Sequence, residues 1–88
     1  MLNLRKKEIK DGIIYYYYQI EGKGEWGELF YDPATGHCGW NKLAEGDEDW
    51  YDRYRGFAYM TLIDFHKENF YPDEQFVGWG ISVKQKNN

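Results

Sequence analysis

The sequence predicts an α+β fold: an antiparallel β-meander of four strands, a C-terminal fifth strand, and one helix packed on one sheet face. Three closely spaced turn signals, between segments rich in tyrosine and isoleucine, predict the meander. A proline-free segment with apolar residues three and four positions apart predicts the helix. Regular alternation of large and small residues near the end of the chain predicts the fifth strand.

Turn-forming residues at 11–12, 22–23 and 32–36 set the register of three hairpins. Asp-Gly favours a two-residue hairpin turn, and Gly-Lys can close another. Asp-Pro-Ala-Thr-Gly suits a type I turn followed by a left-handed glycine. The strands predicted from these turns are 3–10, 13–20, 25–31 and 38–43.

The three registers sort the side chains of the meander onto two faces, because neighbouring residues of a strand point to opposite sides. A one-residue slip would exchange the two sets, so the agreement of three turns supports the registers. The face predicted to form the core carries Ile9, Ile14, Tyr16, Tyr18, Ile20, Gly27, Leu29, Tyr31, Cys38 and Trp40. The opposite face carries Ile13, Tyr15, Tyr17, Gln19, Trp26, Glu28, Phe30, His37, Gly39 and Asn41.

The helix is predicted over residues 50–69, which contain no proline and one glycine. Asp47 or Asp49 is predicted to cap its N-terminus, where acids of the first turn would favour the positive end of the macrodipole. Pro72 follows soon after the predicted end. The stripe predicted to face the sheet is Tyr51, Tyr54, Ala58, Leu62, Phe65 and Asn69, and Arg53, Arg55, Asp64, Lys67 and Glu68 lie largely elsewhere.

A fifth strand is predicted at residues 77–83. There Val77, Trp79, Ile81 and Val83 alternate with two glycines and a serine, so one side of the strand is large and the other nearly bare. The polar tail at 84–88 is predicted to fray. Residues 1–88 are predicted to form a single domain, because a chain of this length has room for one core.

Composition restricts the compartment and the class of partner. The formal net charge of −4 disfavours a duplex-binding protein, because phosphate contacts require clustered lysine and arginine. A single cysteine, Cys38, excludes an internal disulfide. The chain has neither an apolar signal segment nor a run of about 20 apolar residues. The sequence therefore predicts a cytoplasmic protein without a membrane segment.

The second sheet face is the strongest functional signal in the sequence. One helix cannot cover two faces, so Tyr15, Tyr17, Trp26 and Phe30 are predicted to form an exposed patch beside Glu28. Its Tyr- and Trp-rich makeup is typical of interface cores. We therefore expect these residues to bind a protein partner or a second copy of the chain. The alternative is that strand propensity alone selects the rings, with neighbouring side chains shielding each of them.

Two other partner classes remain open. Rings on a sheet face can stack single-stranded bases, although the strands that bear these rings also carry several acidic residues. A second alternative is an acidic inhibitor-type protein that occupies a basic partner. The acids that suggest this role are Glu45, Asp47, Glu48, Asp49 and Asp52.

Groups suited to catalysis or metal binding are few. Adjacent strand residues point to opposite faces, so His37 and Cys38 cannot readily share one ion, and His66 lies on the helix. Cys38 is predicted to be a small buried apolar residue opposite Tyr31. The sequence carries no glycine-rich phosphate loop and no nucleophile elbow. We predict a non-catalytic protein with no cofactor, no metal site and no small-molecule substrate.

Overall fold

The sheet and the helix predicted from the sequence are both present in the computed structural model, which describes residues 1–78. The elements are β1 (Leu2–Lys10), β2 (Ile13–Ile20), β3 (Gly27–Asp32), β4 (His37–Lys42), α1 (Arg53–Glu68) and β5 (Glu74–Val77). All paired strands are antiparallel and form one open sheet in the order β4-β3-β2-β1-β5. The α+β fold class is confirmed.

The first and third turns have the geometry that their residues predicted. Asp11 and Gly12 both have positive φ, 55° and 80°, as a type I′ hairpin requires. In the third turn, the Gly36 N–H donates to the Asp32 carbonyl at 2.8 Å, and the glycine is left-handed. These two turns fix β1 on β2 and β3 on β4 near the hairpin tips in the predicted registers.

The second turn lies one residue earlier than predicted. Glu21 and Gly22 have positive φ, and the Lys23 N–H donates to the Ile20 carbonyl at 3.2 Å, so the predicted Gly22-Lys23 turn is wrong. The ladder between β2 and β3 nevertheless keeps the predicted register, because the irregular residues 23–26 absorb the difference.

A β-bulge in β1 was not predicted. Lys6 pairs with Tyr16 and Glu8 pairs with Tyr15, which leaves Lys7 without a partner on β2. The extra residue brings the Lys7 side chain onto the sheet face opposite α1, where it lies over two tyrosine rings.

The helix covers the predicted inner face of the sheet. The set of residues buried there differs from the prediction in two ways. Leu2 and Leu4 of β1 are fully buried in the core, although the prediction did not include them. Ile9 and Trp40 were predicted inside but are 46% and 39% exposed. Ile9 lies beside the tip of the first hairpin, and Trp40 lies on the outermost strand, whereas α1 packs mainly over the inner strands and β5. The buried apolar residues are Leu2, Leu4, Ile14, Tyr16, Tyr18, Ile20, Leu29, Tyr31, Ala44, Ala58 and Leu62.

The N-terminus of α1 differs from the prediction. Asp52 occupies the N-cap position, its side chain makes no capping hydrogen bond, and the first turn contains no acidic residue. The predicted cap by Asp47 or Asp49 is therefore wrong. Asp47 is instead buried against Tyr18 and Arg55, because these two partners satisfy its carboxylate away from the helix end.

The buried face of α1 also includes a residue that the periodicity placed outside. Arg55 is 2% exposed and lies on the same face as Ala58 and Leu62. Tyr51, predicted on the sheet-facing stripe, precedes the helix and is exposed. The helix ends at Glu68, and its C-cap residue Asn69 is left-handed, as is common at helix C-termini.

The fifth strand lies at the sheet edge beside β1. Val77 pairs with Leu2 and Phe76 pairs with Asn3. This strand, Glu74–Val77, begins three residues before the predicted segment and shares only Val77 with it. The predicted strand positions 79–83 and the predicted frayed tail at 84–88 lie outside the described residues.

Candidate functional site

The outer face, defined as the sheet face opposite α1, carries the five residues that the sequence predicted to bind a partner. Tyr15 pairs with Phe30 and Tyr17 pairs with Glu28 across β2 and β3. Trp26 directly precedes β3, and its ring lies under the Arg5 side chain. All five residues are partly buried, whereas the residues that alternate with them on β2 and β3 are buried on the inner face.

One row of rings crosses the outer face from β2 to the β4 edge. The ring centroids of Tyr15 and Phe30 are 6.3 Å apart, and those of Phe30 and His37 are 5.6 Å apart. The Phe30 ring lies directly over Gly39, where an added Cβ would come within 2.6 Å of Phe30 Cζ. Gly39 therefore lets the ring lie flat against β4 and keeps the row continuous.

A polar strap lies across the middle of the outer face. The Lys7 ammonium donates to Glu28 Oε1 at 2.9 Å and lies 5.9 Å from the ring centroids of both Tyr15 and Tyr17. The Asn41 amide donates to the other Glu28 oxygen at 2.7 Å. Lys7 reaches from β1 over β2 to β3, so its stem shields part of the two tyrosine rings.

The strap fixes the charge states of its two ionised ends. The hydrogen bond to Glu28 raises the pKa of Lys7. Burial opposes the charge of Glu28, but the hydrogen bonds from Lys7 and Asn41 outweigh this effect and lower its pKa. Both groups are therefore charged at neutral pH.

Sequence reasoning missed the strap because it missed the bulge. The apolar residues of β1 change parity along the strand, since Leu2 and Leu4 are even-numbered whereas Ile9 is odd-numbered. All three belong to the inner side only if one residue between them is left out of the alternation. This change of parity was the signal that could have located Lys7 on the outer face.

A second cation covers the Trp26 ring. The Arg5 guanidinium lies 4.7 Å from the ring centroid, and its Nε is 3.6 Å from Glu74 Oε2. A cavity of about 410 Å³ adjoins this pair, and Gln19 and Phe76 also line it. The predicted cross-strand pair of Gln19 with Trp26 is not part of the ladder, which begins at Gly27.

A buried polar cluster lies on the inner side, between the sheet and the N-terminal turn of α1. The Tyr18 hydroxyl donates to Asp47 Oδ2 and accepts a hydrogen bond from the Ala44 N–H at 3.1 Å. Arg55 Nη1 lies 3.7 Å from the same Asp47 oxygen, and its Nη2 donates to the Asp49 carbonyl at 3.0 Å. Arg55 and Asp47 are both buried, so this cluster anchors the segment before the helix.

Three of the acids that suggested an inhibitor role contact the chain itself. The Glu45 carboxylate accepts a hydrogen bond from the Glu25 N–H at 3.1 Å, Asp47 faces Arg55, and Asp49 offers its carbonyl to Arg55. The inhibitor alternative stays a prediction that rests on the exposed acids of the segment.

The soft metal ligands lie apart from one another. His37 packs on Phe30 at the outer face, and Cys38 lies opposite Tyr31, half-buried on the inner side. Burial raises the pKa of the Cys38 thiol. His66 Nδ1 is 3.1 Å from the Tyr71 hydroxyl. Within residues 1–78, no three His, Cys, Asp or Glu side chains lie close enough together to hold an ion.

Comparison of the chain with protein-family models, with curated proteins and with solved structures gave no match. No helix within residues 1–78 has the length and apolar character needed to span a membrane.

Proposed function

We propose that the protein is a non-catalytic interaction module whose outer face binds a protein partner or a second copy of the chain. The observation that carries the proposal is the position of Tyr15, Tyr17, Trp26 and Phe30 on the face that α1 leaves uncovered. All four rings are partly buried, and a group of aromatic side chains that the fold leaves uncovered on one sheet face is typical of an interface.

The chemistry around the rings supports protein recognition. Tyrosine and tryptophan combine a large apolar surface with a polar tip, and both are enriched among residues that dominate binding energies. The ion pair of Lys7 with Glu28 supplies charged groups of both signs beside the rings. Such groups favour one orientation of a docked partner and contribute to specificity.

The proposal predicts that acidic substitutions on the outer face abolish binding. In the double variant Tyr17→Glu with Phe30→Glu, we expect the dissociation constant of the complex to rise at least ~30-fold, the scale of losing a binding hot spot. Sedimentation velocity measures the self-association version. For a separate partner, the readout is a saturable complex between the purified chain and the purified partner.

The control is Met60→Glu, which adds one of these two negative charges at a side chain that is 63% exposed on α1, on the other side of the molecule. Far-ultraviolet circular dichroism of each variant checks that the fold is intact. Equal binding by the wild type, the outer-face variant and the control would refute the proposal.

A second candidate function is single-stranded nucleic-acid binding through the same rings. It is favoured by the cations over three of the rings, since Arg5 covers Trp26 and Lys7 lies over Tyr15 and Tyr17. Cation and ring together are the elements of single-strand grooves. The net charge of −4 and the pairing of both cations with glutamates oppose it.

This candidate predicts that an oligothymidylate quenches tryptophan fluorescence, with an affinity that falls as salt rises. Arg5→Ala should weaken the quenching, and Trp26→Phe should remove the quenched component, while the exposed Trp50 reports non-specific contact. Unchanged fluorescence at low salt would eliminate nucleic acid as the ligand.

A further inference from the structure

The two edges of the sheet differ in how they are protected. On the β1 side, β5 pairs with Leu2–Arg5 only, so within the described residues the strand is open from Lys7 onward. That open stretch contains the bulge and the charged residues Lys7, Glu8 and Lys10. Bulges and charges are the devices by which natural sheets prevent edge-to-edge pairing.

The β4 edge lacks these devices over four residues. His37–Trp40 pair regularly with Leu29–Asp32 of β3, and a register shift follows only at Asn41. The four side chains are histidine, cysteine, glycine and tryptophan, so none is a lysine, arginine, aspartate or glutamate. Apart from the ladder with β3, the backbone of residues 38–40 makes no hydrogen bond within residues 1–78.

Aromatic rings lie on both sides of the sheet at this edge, and the Arg55 guanidinium lies 5.8 Å from the Trp40 ring centroid. Phe30 and His37 adjoin it on the outer face, and Trp40 is 39% exposed on the other side. A cavity of about 390 Å³ lies along the edge and is lined on the helix side by Asp52, Arg55 and Tyr59. A strand edge with free backbone groups and side-chain pockets beside it is the arrangement used for strand addition.

We propose that β4 pairs antiparallel with β4 of a second copy, so that two five-stranded sheets join into one. The charges at the two ends of the edge select this occupant and this direction. Lys42, which is 62% exposed and lies 3.5 Å from Glu25 of its own chain, is at one end, and the hairpin turn that follows Asp32 of β3 is at the other. Antiparallel pairing places each Lys42 beside the turn of the other copy, whereas parallel pairing would place like charges together.

Symmetry restricts the register of this pairing. The two copies are related by a two-fold axis perpendicular to the joined sheet. The axis therefore passes where one residue of β4 lies directly opposite the same residue of the other copy, and we call this residue the crossing. Within the regular run His37–Trp40, the crossing that centres the contact lies at Cys38 or at Gly39. Both registers place the outer faces of the two copies on the same side, and both bring Lys42 to the opposing turn.

The lone cysteine reports the register directly. Directly opposed residues of antiparallel strands have Cα atoms about 4.5–5.5 Å apart, which lies within the range that a disulfide bridges. Crossing at Cys38 places the two native thiols opposite each other. Crossing at Gly39 places Cys38 opposite residue 40 of the other copy, so the variant Trp40→Cys forms the link.

The experiment combines cross-linking with sedimentation. We expect a dimer in sedimentation velocity, and a disulfide-linked dimer after copper-phenanthroline oxidation in the wild type or in Trp40→Cys. The baseline for random collision is Met60→Cys in a Cys38→Ala background, which places one thiol on the exposed face of α1. Cross-linking no greater than this baseline in both proteins, together with a monomer in sedimentation, would overturn the proposal.

A variant of the β4 edge distinguishes dimerisation through β4 (the β4 seam) from dimerisation through the outer face. His37→Lys with Trp40→Lys adds positive charges of both copies along the paired strands: the two lysines at position 37 are diagonal neighbours if the strands cross at Cys38, and the two at position 40 if they cross at Gly39. We expect the dimer dissociation constant to rise by ~10-fold or more. Met60→Lys, which adds one such charge on the exposed face of α1, is the control. A dimer that survives the edge variant but is lost in Tyr17→Glu with Phe30→Glu would overturn the β4 seam and support the outer face instead. Cross-linking does not depend on the lysine variant, because it is measured in the wild type for a crossing at Cys38 and in Trp40→Cys for a crossing at Gly39.

Discussion

Replacing Asp47 by alanine is expected to lower the free energy of unfolding by about 3–5 kcal/mol, the cost of removing one partner of a buried ion pair. Asp47 is 7% exposed and Arg55 is 2% exposed, with Arg55 Nη1 3.7 Å from Asp47 Oδ2. The substitution leaves the guanidinium buried without its counter-charge. It also removes the acceptor of the Tyr18 hydroxyl, so a second buried donor loses its partner.

Urea unfolding followed by far-ultraviolet circular dichroism measures this loss. The matched control is Asp49→Ala, which should change stability by less than about 0.5 kcal/mol because Asp49 binds Arg55 through its backbone carbonyl. The double variant Asp47→Ala with Arg55→Met removes both charges and should be more stable than Asp47→Ala alone. A cost for Asp47→Ala as small as that of the control would show that the cluster contributes nothing to stability.

Alkaline pH is expected to unfold the protein cooperatively, because two core phenols must stay neutral in the folded state. Tyr16 and Tyr18 are fully buried, and burial raises the pKa of each above the usual value of 10. Burial likewise raises the pKa of Tyr59 to about 12. The Tyr16 hydroxyl donates to the Pro72 carbonyl at 2.5 Å, an interaction that requires its proton.

The sign of the pH dependence follows from these directions. Above about pH 10 the unfolded chain releases phenolic protons that the folded chain retains, so proton loss favours unfolding. The stability that the buried neutral phenols contribute is fully present below that pH and is lost as the pH rises toward their pKa values in the folded state. For each fully buried phenol, stability should fall by up to about 1.4 kcal/mol per pH unit in this range.

Phenolate absorbance and circular dichroism, recorded together during an alkaline titration, test this prediction. We expect the absorbance of the buried phenols and the loss of helix signal to change at the same pH. Tyr16→Phe should make stability fall less steeply with pH, since one fewer phenol then titrates. Ionisation of all tyrosines while the helix signal remains native would contradict the assignment of Tyr16 and Tyr18 to a dry core.

Local pattern was enough to locate most of the sheet. The turns at Asp11-Gly12 and at residues 32–36 set registers that the structure keeps, and Leu29 is fully buried on the predicted side. These features depend on backbone preferences of turn residues and on the two-residue period of a strand. Both act over a few residues, so they can be read without the rest of the chain.

The outer face was predicted in part. Alternation along β2 and β3 predicted that Tyr15, Tyr17 and Phe30 share one sheet face, and the structure confirms that position. The cations that lie over the rings were missed because the bulge at Lys7 changes the parity of β1. The partner of this face stays a prediction.

The sequence alone determined the α+β class, the registers beside the first and third turns and between β2 and β3, and the sorting of rings onto two faces, because turn geometry and side-chain alternation are local. Only the tertiary structure decided where the charged residues lie: Arg55 and Asp47 inside, Lys7 across the rings, and the fifth strand beside β1. The physical reason is that a charged side chain is held by partners distant in sequence, as Asp47 is by Tyr18. No periodicity within one segment encodes which distant group will be its partner.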